Sequence, residues 1–190
     1  MMRRSGFRGG RRVVDVSELR LDDMVLADID AVIEVERASF VAPWPANAFR
    51  HELTQNRNAR YVVARREARV VGYAGLWNAV GEAHVTTFAV HPDARRSHVG
   101  ERLLLRLFEV ARELAGDALG QMALTLEVRA SNLAAQKLYE KFGFRRAGVR
   151  RRYYSDNNED AIIMWTETLD DPKLRDRLTR LAAENDRGAV

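Results

Sequence analysis

Cysteine is absent from the chain. That excludes disulfide cross-links, thiolate metal sites and a cysteine nucleophile, and it fits a reducing compartment. No apolar run approaches the ~20 residues that span a bilayer, and no apolar signal segment follows the amino terminus. Both absences lead to the expectation of a cytoplasmic protein with no membrane partner. Lysine is almost missing beside arginine throughout, so the arginines read as a compositional habit. No aromatic-rich RNA-binding signature and no zinc pattern accompanies them, so neither direct nucleic-acid contact nor a metal is expected. What is present is 190 residues with 46% hydrophobic content and a formal charge of +4. That suits one domain with a buried core and is too little for two full ones.

Five arginines and three glycines fall within Met1 to Arg12. By composition residues 1–12 are a disordered basic leader, with an RNA-binding arm as the sharper alternative. The domain is expected over residues 13–169. Val13 to Asp22 alternates enough to be a first strand. Leu26, Ile29, Val32, Ile33 and Phe40 recur at helical spacing with Asp28, Asp30, Glu34 and Glu36 on the other face, an amphipathic helix whose acidic side reads as solvated. Pro43-Trp44-Pro45 stops it, and Pro45 to Gln55 reads as a second helix. Ala59 to Ala64 and Val70 to Trp77 form an antiparallel hairpin, and Ala83 to Val90 adds a strand. A long helix follows from Val99 to Leu114. After it come a strand ending near Arg129, a helix closed by Gly143, and strands at Arg145 to Tyr154 and Ala161 to Thr168. Val90 to Glu127 is thus a strand, helix, strand unit, which needs parallel pairing and a right-handed crossover. Residues 170–190 read as a charged carboxy-terminal helix, Pro172 to Asn185, docking weakly through Leu174, Leu178 and Leu181 on the domain or on a second copy. A monomer or weak homodimer is expected.

Two stretches carry chemistry. In the first, Met122, Leu124, Leu126 and Val128 alternate with Ala123, Thr125, Glu127 and Arg129, so Glu127 interrupts an apolar strand near its end. Ser131 or Asn132 can cap the helix that follows, and Tyr139 lies two turns into it. A purely structural Glu127 would pair with Arg129, Arg151 or Arg152. The second stretch is Arg95-Arg96-Ser97-His98-Val99-Gly100-Glu101. A strand end, a basic turn and a helix whose first N–H groups lack partners together make an anion site suited to a diphosphate. An ordinary arginine-decorated helix start has the same spacing.

Arg95-x-x-x-x-Gly100 after Val90-His91-Pro92 resembles the coenzyme A loop of the GNAT acetyltransferase superfamily. Further motifs resemble the ribosomal-protein-alanine N-acetyltransferases of the RimI type. They are Phe40-x-x-Pro43-Trp44, Leu126 to Asn132, Leu138 to Phe144, Arg151 to Tyr154 and Glu159 to Met164. The resemblance covers roughly Val16 to Thr166. It implies the GNAT fold, an α/β architecture with a mixed, mostly antiparallel central sheet of about seven strands flanked by about four helices. It also implies acetyl-CoA as co-substrate and, as acceptor, a protein amino terminus, the alanine of ribosomal protein S18. Where the family loop usually carries its first glycine, this chain has His98, which either crowds the pyrophosphate or hydrogen-bonds it.

On the same resemblance Glu127 is the general base, acting directly or through water. Tyr139 matches the general acid, and because a phenol gives its proton to a thiolate only uphill, hydrogen bonding to the leaving sulfur is its main expected contribution. Phe88, Ala89 and Val90 match the acetyl- and pantetheine-binding segment, exposed by a break between the two central parallel strands. Asn132 matches a cofactor-contacting position, although capping its own helix explains it equally. Trp44, Tyr153 and Tyr154, with the acidic face around Glu34 and Glu36, are placed at the acceptor groove between the Pro43-Trp44 loop and the hairpin from Arg150 to Asp160. The alternatives are an N-terminal or lysine acetyltransferase of broader specificity and a non-catalytic acyl-CoA-binding module.

Overall fold

Alternating apolar residues line both faces of a sheet whose strands β1 to β7 are Leu19–Asp23, Ala59–Arg66, Arg69–Ala79, Glu82–Val90, Ala123–Arg129, Arg145–Tyr154 and Glu159–Thr168. The computed structural model describes residues 19–79 and 81–187. The expected basic leader, and the expected first strand before Leu19, lie outside them. The strand order is β1-β2-β3-β4-β5-β7-β6. Every neighbouring pair is antiparallel except β4 and β5. That junction is the parallel one because the helix Val99–Ala115 (α3) crosses over between its strands.

The sheet is covered on both faces. On β2, Tyr61 and Val63 enter one core, and Val62 and Ala64 the other, as period-two side chains must. Helices Ile29–Ser39 (α1) and Ala46–Thr54 (α2) bury Ile29, Val32, Val35 and Phe49 on the first face. On the second face α3 buries Leu103, Leu104 and Leu107 completely. Such side chains contribute about 1.5–3 kcal/mol each, so Leu107→Ala would break the helix's seat. Leu133–Lys141 (α4) and Pro172–Arg187 (α5) pack on the same side, with Phe142, Leu174, Leu178 and Leu181 in that core.

Two expectations change in detail. The first helix begins at Ile29, preceded by a 3-10 turn at Leu26–Asp28, because the Asp28 carboxylate turns back to accept the Val25 N–H at 3.0 Å and Arg65 at 2.6 Å. Its acidic side is only partly solvated. Asp30 and Glu34 are exposed, but Asp28 and Glu36 are buried.

The closing helix is bound into the domain by more than its leucines. Gly143, at φ +95°, ends α4, and Leu174 presses to 3.1 Å from where a Cβ would stand. Arg177 Nη1 donates to the carbonyls of Glu140 and Lys141, capping the last turn of α4. Asn185 Nδ2 donates to Glu101 at the start of α3.

Candidate active site

The site forms where the parallel pair separates. Strands β4 and β5 are paired only from Glu82 to Val85 and from Ala123 to Leu126. Beyond that, β4 stays with β3 and β5 with β7, so a gap opens beside Phe88, Ala89 and Val90. At its root Thr86 is an extra residue on β4, since Gly75 opposes Thr87 while Leu76 opposes Val85. Such a bulge bends one strand away from its neighbour. The expected break between the central strands is there, with backbone groups of β4 left without a sheet partner on that side.

The basic turn sits at the mouth of this gap. His98 is the residue before α3 and adopts φ +59°. Arg96 is also at φ +59°. The first helical bond runs from Arg102 N–H to the His98 carbonyl at 3.0 Å, which leaves the N–H groups of Val99, Gly100 and Glu101 ahead of it free to point outward. Arg95 and Arg96 are exposed. Side chains of the other expected contacts turn elsewhere. The Ser97 hydroxyl donates to Ala94 O at 2.7 Å, and Val99 is in the core. Glu101 accepts from Lys141 at 2.8 Å and Asn185 at 3.0 Å. Burial opposes its charge, but those two hydrogen bonds outweigh it and hold its carboxyl below the usual 4.5. Gly100 passes close to α4, where a Cβ would meet Leu138 at 3.3 Å and lie 3.8 Å from Phe88 and Val90. The gap, the outward N–H groups and two exposed arginines fit a slender extended arm joined to a diphosphate, as in acetyl-CoA. Ser97, Val99 and Glu101 would serve through backbone alone.

Glu127 stands at the fork with its side chain 8% exposed. Its Oε1 is 3.0 Å from Arg150 Nη1, and its Oε2 is 3.1 Å from His84 Nε2. The expected partners Arg129, Arg151 and Arg152 are not the ones used. Arg129 instead grips Asp156 at 2.9 Å and Glu159 at 3.1 Å, with Tyr154 3.9 Å from its guanidinium. The register of β6 shifts between Arg150 and Tyr154, with Arg152 at φ +53°, and this leaves Arg150 over the carboxylate. His84 belongs to no motif. Its one sequence signal is a polar residue between Ala83 and Val85, both buried.

Tyr139 packs on the splayed strand, its ring edge-on to Phe88 at 6.0 Å and tilted against Phe144 at 5.6 Å. Among the described residues nothing hydrogen-bonds its hydroxyl. Burial pushes the phenol up, and Tyr154 adds to that push, so the hydroxyl keeps its proton throughout the neutral range. Asn132 is the cap of α4, its Oδ1 accepting the Ala135 N–H at 3.1 Å.

The acceptor side is less uniform than its residue types imply. Trp44 is half-buried against Phe49 at 5.7 Å. Tyr153 is 46% exposed, with Arg150 5.6 Å from its ring. Tyr154 is tied down under Arg129, and burial lifts its phenol to about 12 although Arg129 pulls it the other way. Glu34 is solvated. Glu36 instead accepts the Trp44 N–H and the Tyr73 hydroxyl, and Tyr73 is 3.1 Å from Thr87 on the splayed strand.

A split parallel pair with a diphosphate-ready helix start defines an acyl-CoA-dependent transferase site. The chain matches the model of the acetyltransferase (GNAT) family over residues 29–144 and belongs to that family of acetyl-CoA-dependent enzymes; its homologues include N-α-acetyltransferases of the RimI type. A Bacillus subtilis (strain 168) protein provisionally described as a [ribosomal protein bS18]-alanine N-acetyltransferase is 43% identical over 75% of this chain and 91% of its own length. The N-alpha-acetyltransferase RimI of Mycobacterium tuberculosis (strain ATCC 25618 / H37Rv) is 37% identical over 82% and 97%. The crystal structure of the ribosomal-protein-S18-alanine N-acetyltransferase from Escherichia coli superposes with a TM-score of 0.68 at 31% identity, covering 78% of this chain and 92% of that one. No helix among the described residues is long and apolar enough to cross a membrane.

Proposed function

We propose that this enzyme acetylates the amino-terminal alanine of ribosomal protein bS18, with Glu127 as the general base. The observation that carries the reading is the placement of a nearly buried carboxylate at the fork of β4 and β5, beside a strand on whose Phe88 a phenol with no described hydrogen-bond partner is packed. The 37% and 34% identity to named N-α- and bS18-alanine acetyltransferases supports the acceptor.

When bound, acetyl-CoA supplies the acetyl group as an activated thioester. Arg95, Arg96 and the outward N–H groups at the start of α3 would hold its diphosphate, and the backbone of Phe88, Ala89 and Val90 would hold the acetyl arm. Donors fixed in advance at the carbonyl oxygen are commonly the largest electrostatic contribution to acyl transfer. An α-amino group has a pKa of about 7.7–8.0, so much of it is protonated at neutral pH and must lose a proton before it attacks. Glu127 takes that proton, directly or through water. The Tyr139 hydroxyl, held protonated by burial, donates a hydrogen bond toward the leaving sulfur. Trp44 and Tyr153 wall the acceptor groove, and Tyr154 shapes it from beneath. Since the chain has no cysteine, an acyl-cysteine stage is excluded and transfer is direct.

Intact-mass measurement of purified bS18 incubated with acetyl-CoA and this protein tests the reading. One acetyl group on the amino terminus is expected, and none on a peptide whose amino terminus is blocked. Acetylation of lysines in the blocked peptide would instead establish a broader acetyltransferase. Coenzyme A binding without any transfer would establish a binding module.

A further inference from the structure

His84 lies outside every motif that defines the family site, yet among the described residues it is, with Arg150, one of the two basic side chains paired with Glu127. Its Nε2 is 3.1 Å from Oε2 of that carboxylate. Its Nδ1 is 2.9 Å from Oγ1 of Thr125, which the parallel register sets directly opposite it and which is 3% exposed. A carboxylate only accepts, so the contact at Nε2 keeps a proton on that nitrogen. A hydroxyl can donate to a bare nitrogen or accept from a protonated one. Thr125 therefore satisfies Nδ1 in either charge state of the ring, and the grip on Glu127 is kept in both. The charged groups facing the ring are Glu127 on β5 and, beyond it, Arg150 on β6. On β3 it is flanked by Trp77, whose Nε1 donates to Glu52 at 2.6 Å.

The two oxygens of Glu127 thus have unlike partners. His84 is anchored at both ring nitrogens on the floor of the sheet. Arg150, on Oε1, has a side chain 55% exposed, which can give up its place to an incoming amine. We propose that His84 is a positioning residue for the reaction, holding Oε2 so that Oε1 takes the acceptor's proton. This rests on the reading of Glu127 as the base. In the step, an N–H bond of the acceptor ammonium breaks, an O–H bond forms at Oε1, and the electron pair left on nitrogen makes the new C–N bond; the thioester C–S bond breaks, its pair leaves on the coenzyme A sulfur, and that sulfur takes the second amine proton. Without His84 the carboxylate keeps only a mobile arginine and loses its fixed direction, and misplacing a catalytic group is costly in rate.

The test measures kcat and acceptor KM from pH 6 to 9, with coenzyme A affinity by calorimetry, in single and paired variants. His84→Phe should lower kcat about 10- to 100-fold, a part of what a general base contributes, with acceptor KM and coenzyme A affinity close to wild type. His84→Gln retains an N–H donor toward Oε2, so it should recover part of the kcat lost in His84→Phe. Thr125→Val should fall between, and Thr125→Ser should restore activity. In a Glu127→Gln background His84→Phe should cost nothing further, since both act through one group. A role in packing alone would lower stability and let glutamine recover no more kcat than phenylalanine, and that result overturns the proposal. So does a full additional loss in the Glu127→Gln background. Wild-type turnover in His84→Phe beside a crippled Glu127→Gln overturns this proposal alone; wild-type turnover in Glu127→Gln overturns the base assignment and this proposal with it.

Discussion

Glu36 accepts the backbone N–H of Trp44 at 2.8 Å while it also takes the hydroxyl hydrogen of Tyr73. One buried carboxylate of α1 thereby holds the acceptor-side loop in register with the splayed strand, because Tyr73 in turn reaches Thr87. Glu36→Ala would leave the Trp44 N–H without its acceptor and the Tyr73 hydroxyl with Thr87 alone, at a cost of about 2 kcal/mol. Chemical denaturation should show that loss, and acceptor KM should rise more than kcat falls. Burial pushes the Glu36 carboxyl above 4.5, against the pull of Trp44 and Tyr73. A raised carboxyl stabilises the fold below its unfolded value and loses that contribution as pH rises through the folded one. The stability advantage of wild type over Glu36→Gln should therefore be greatest in acid and shrink toward neutral pH.

Glu159 behaves in the opposite sense. Hydrogen bonds from Ser131, then Arg129 and Asn157, lower its carboxyl to about 2. Its contribution is present above 4.5 and is lost as pH falls toward 2. Since it accepts the Ser131 N–H at 2.7 Å, the turn into α4 should loosen in that window. Urea unfolding of wild type and Glu159→Gln should differ at pH 6 and converge near pH 2; a constant difference over that range would remove this assignment.

His98 occupies a left-handed backbone position that costs a side chain roughly 1–2 kcal/mol and glycine little. Its contact with Glu101 is 3.6 Å long and about half-exposed, so little is forfeited when it is removed. His98→Gly should leave stability equal or higher by about 1 kcal/mol, net of the added freedom of the unfolded chain. Calorimetry should show coenzyme A binding as tight or tighter. Weakened binding would mean that the imidazole itself contacts the diphosphate.

Tyr139→Phe keeps the ring packed between Phe88 and Phe144 and removes a hydroxyl that no described residue uses. The melting temperature should stay at the wild-type value. Turnover should fall about 10- to 100-fold, the worth of a hydrogen bond to a charged acceptor. An unchanged kcat would exclude the leaving sulfur as the hydroxyl's partner.

The sheet, most helix limits and the place of Glu127 near the end of its strand were legible because periodicity and turn residues set them locally; the gap beside it was implied by the resemblance alone. The strand Arg145–Tyr154 and the helix starts at Val99 and Leu133 agree with the sequence reading. His84 was not legible, since its meeting with Glu127 depends on the parallel register of β4 and β5, which no local pattern encodes. Nor could helical spacing tell that Glu36 turns inward while Glu34 does not. Arg150 was hidden by the register shift in β6, which decides which of three successive arginines faces the carboxylate.

The separation of β4 from β5 has a further meaning. It creates a sheet edge in the interior of the protein: Thr87 and Ala89 turn their backbone groups to β3, while the N–H groups of Phe88 and Val90 face another strand too far away to use them. Outer edges are liabilities that proteins blunt, whereas this one is shielded by its own neighbour and admits only a slender, extended partner rich in amides. The ligand then completes the sheet, much as a strand would. Amide exchange at Phe88 and Val90 should slow sharply when coenzyme A binds, while Ala89, already paired to β3, and the four paired residues at the root of the gap change little.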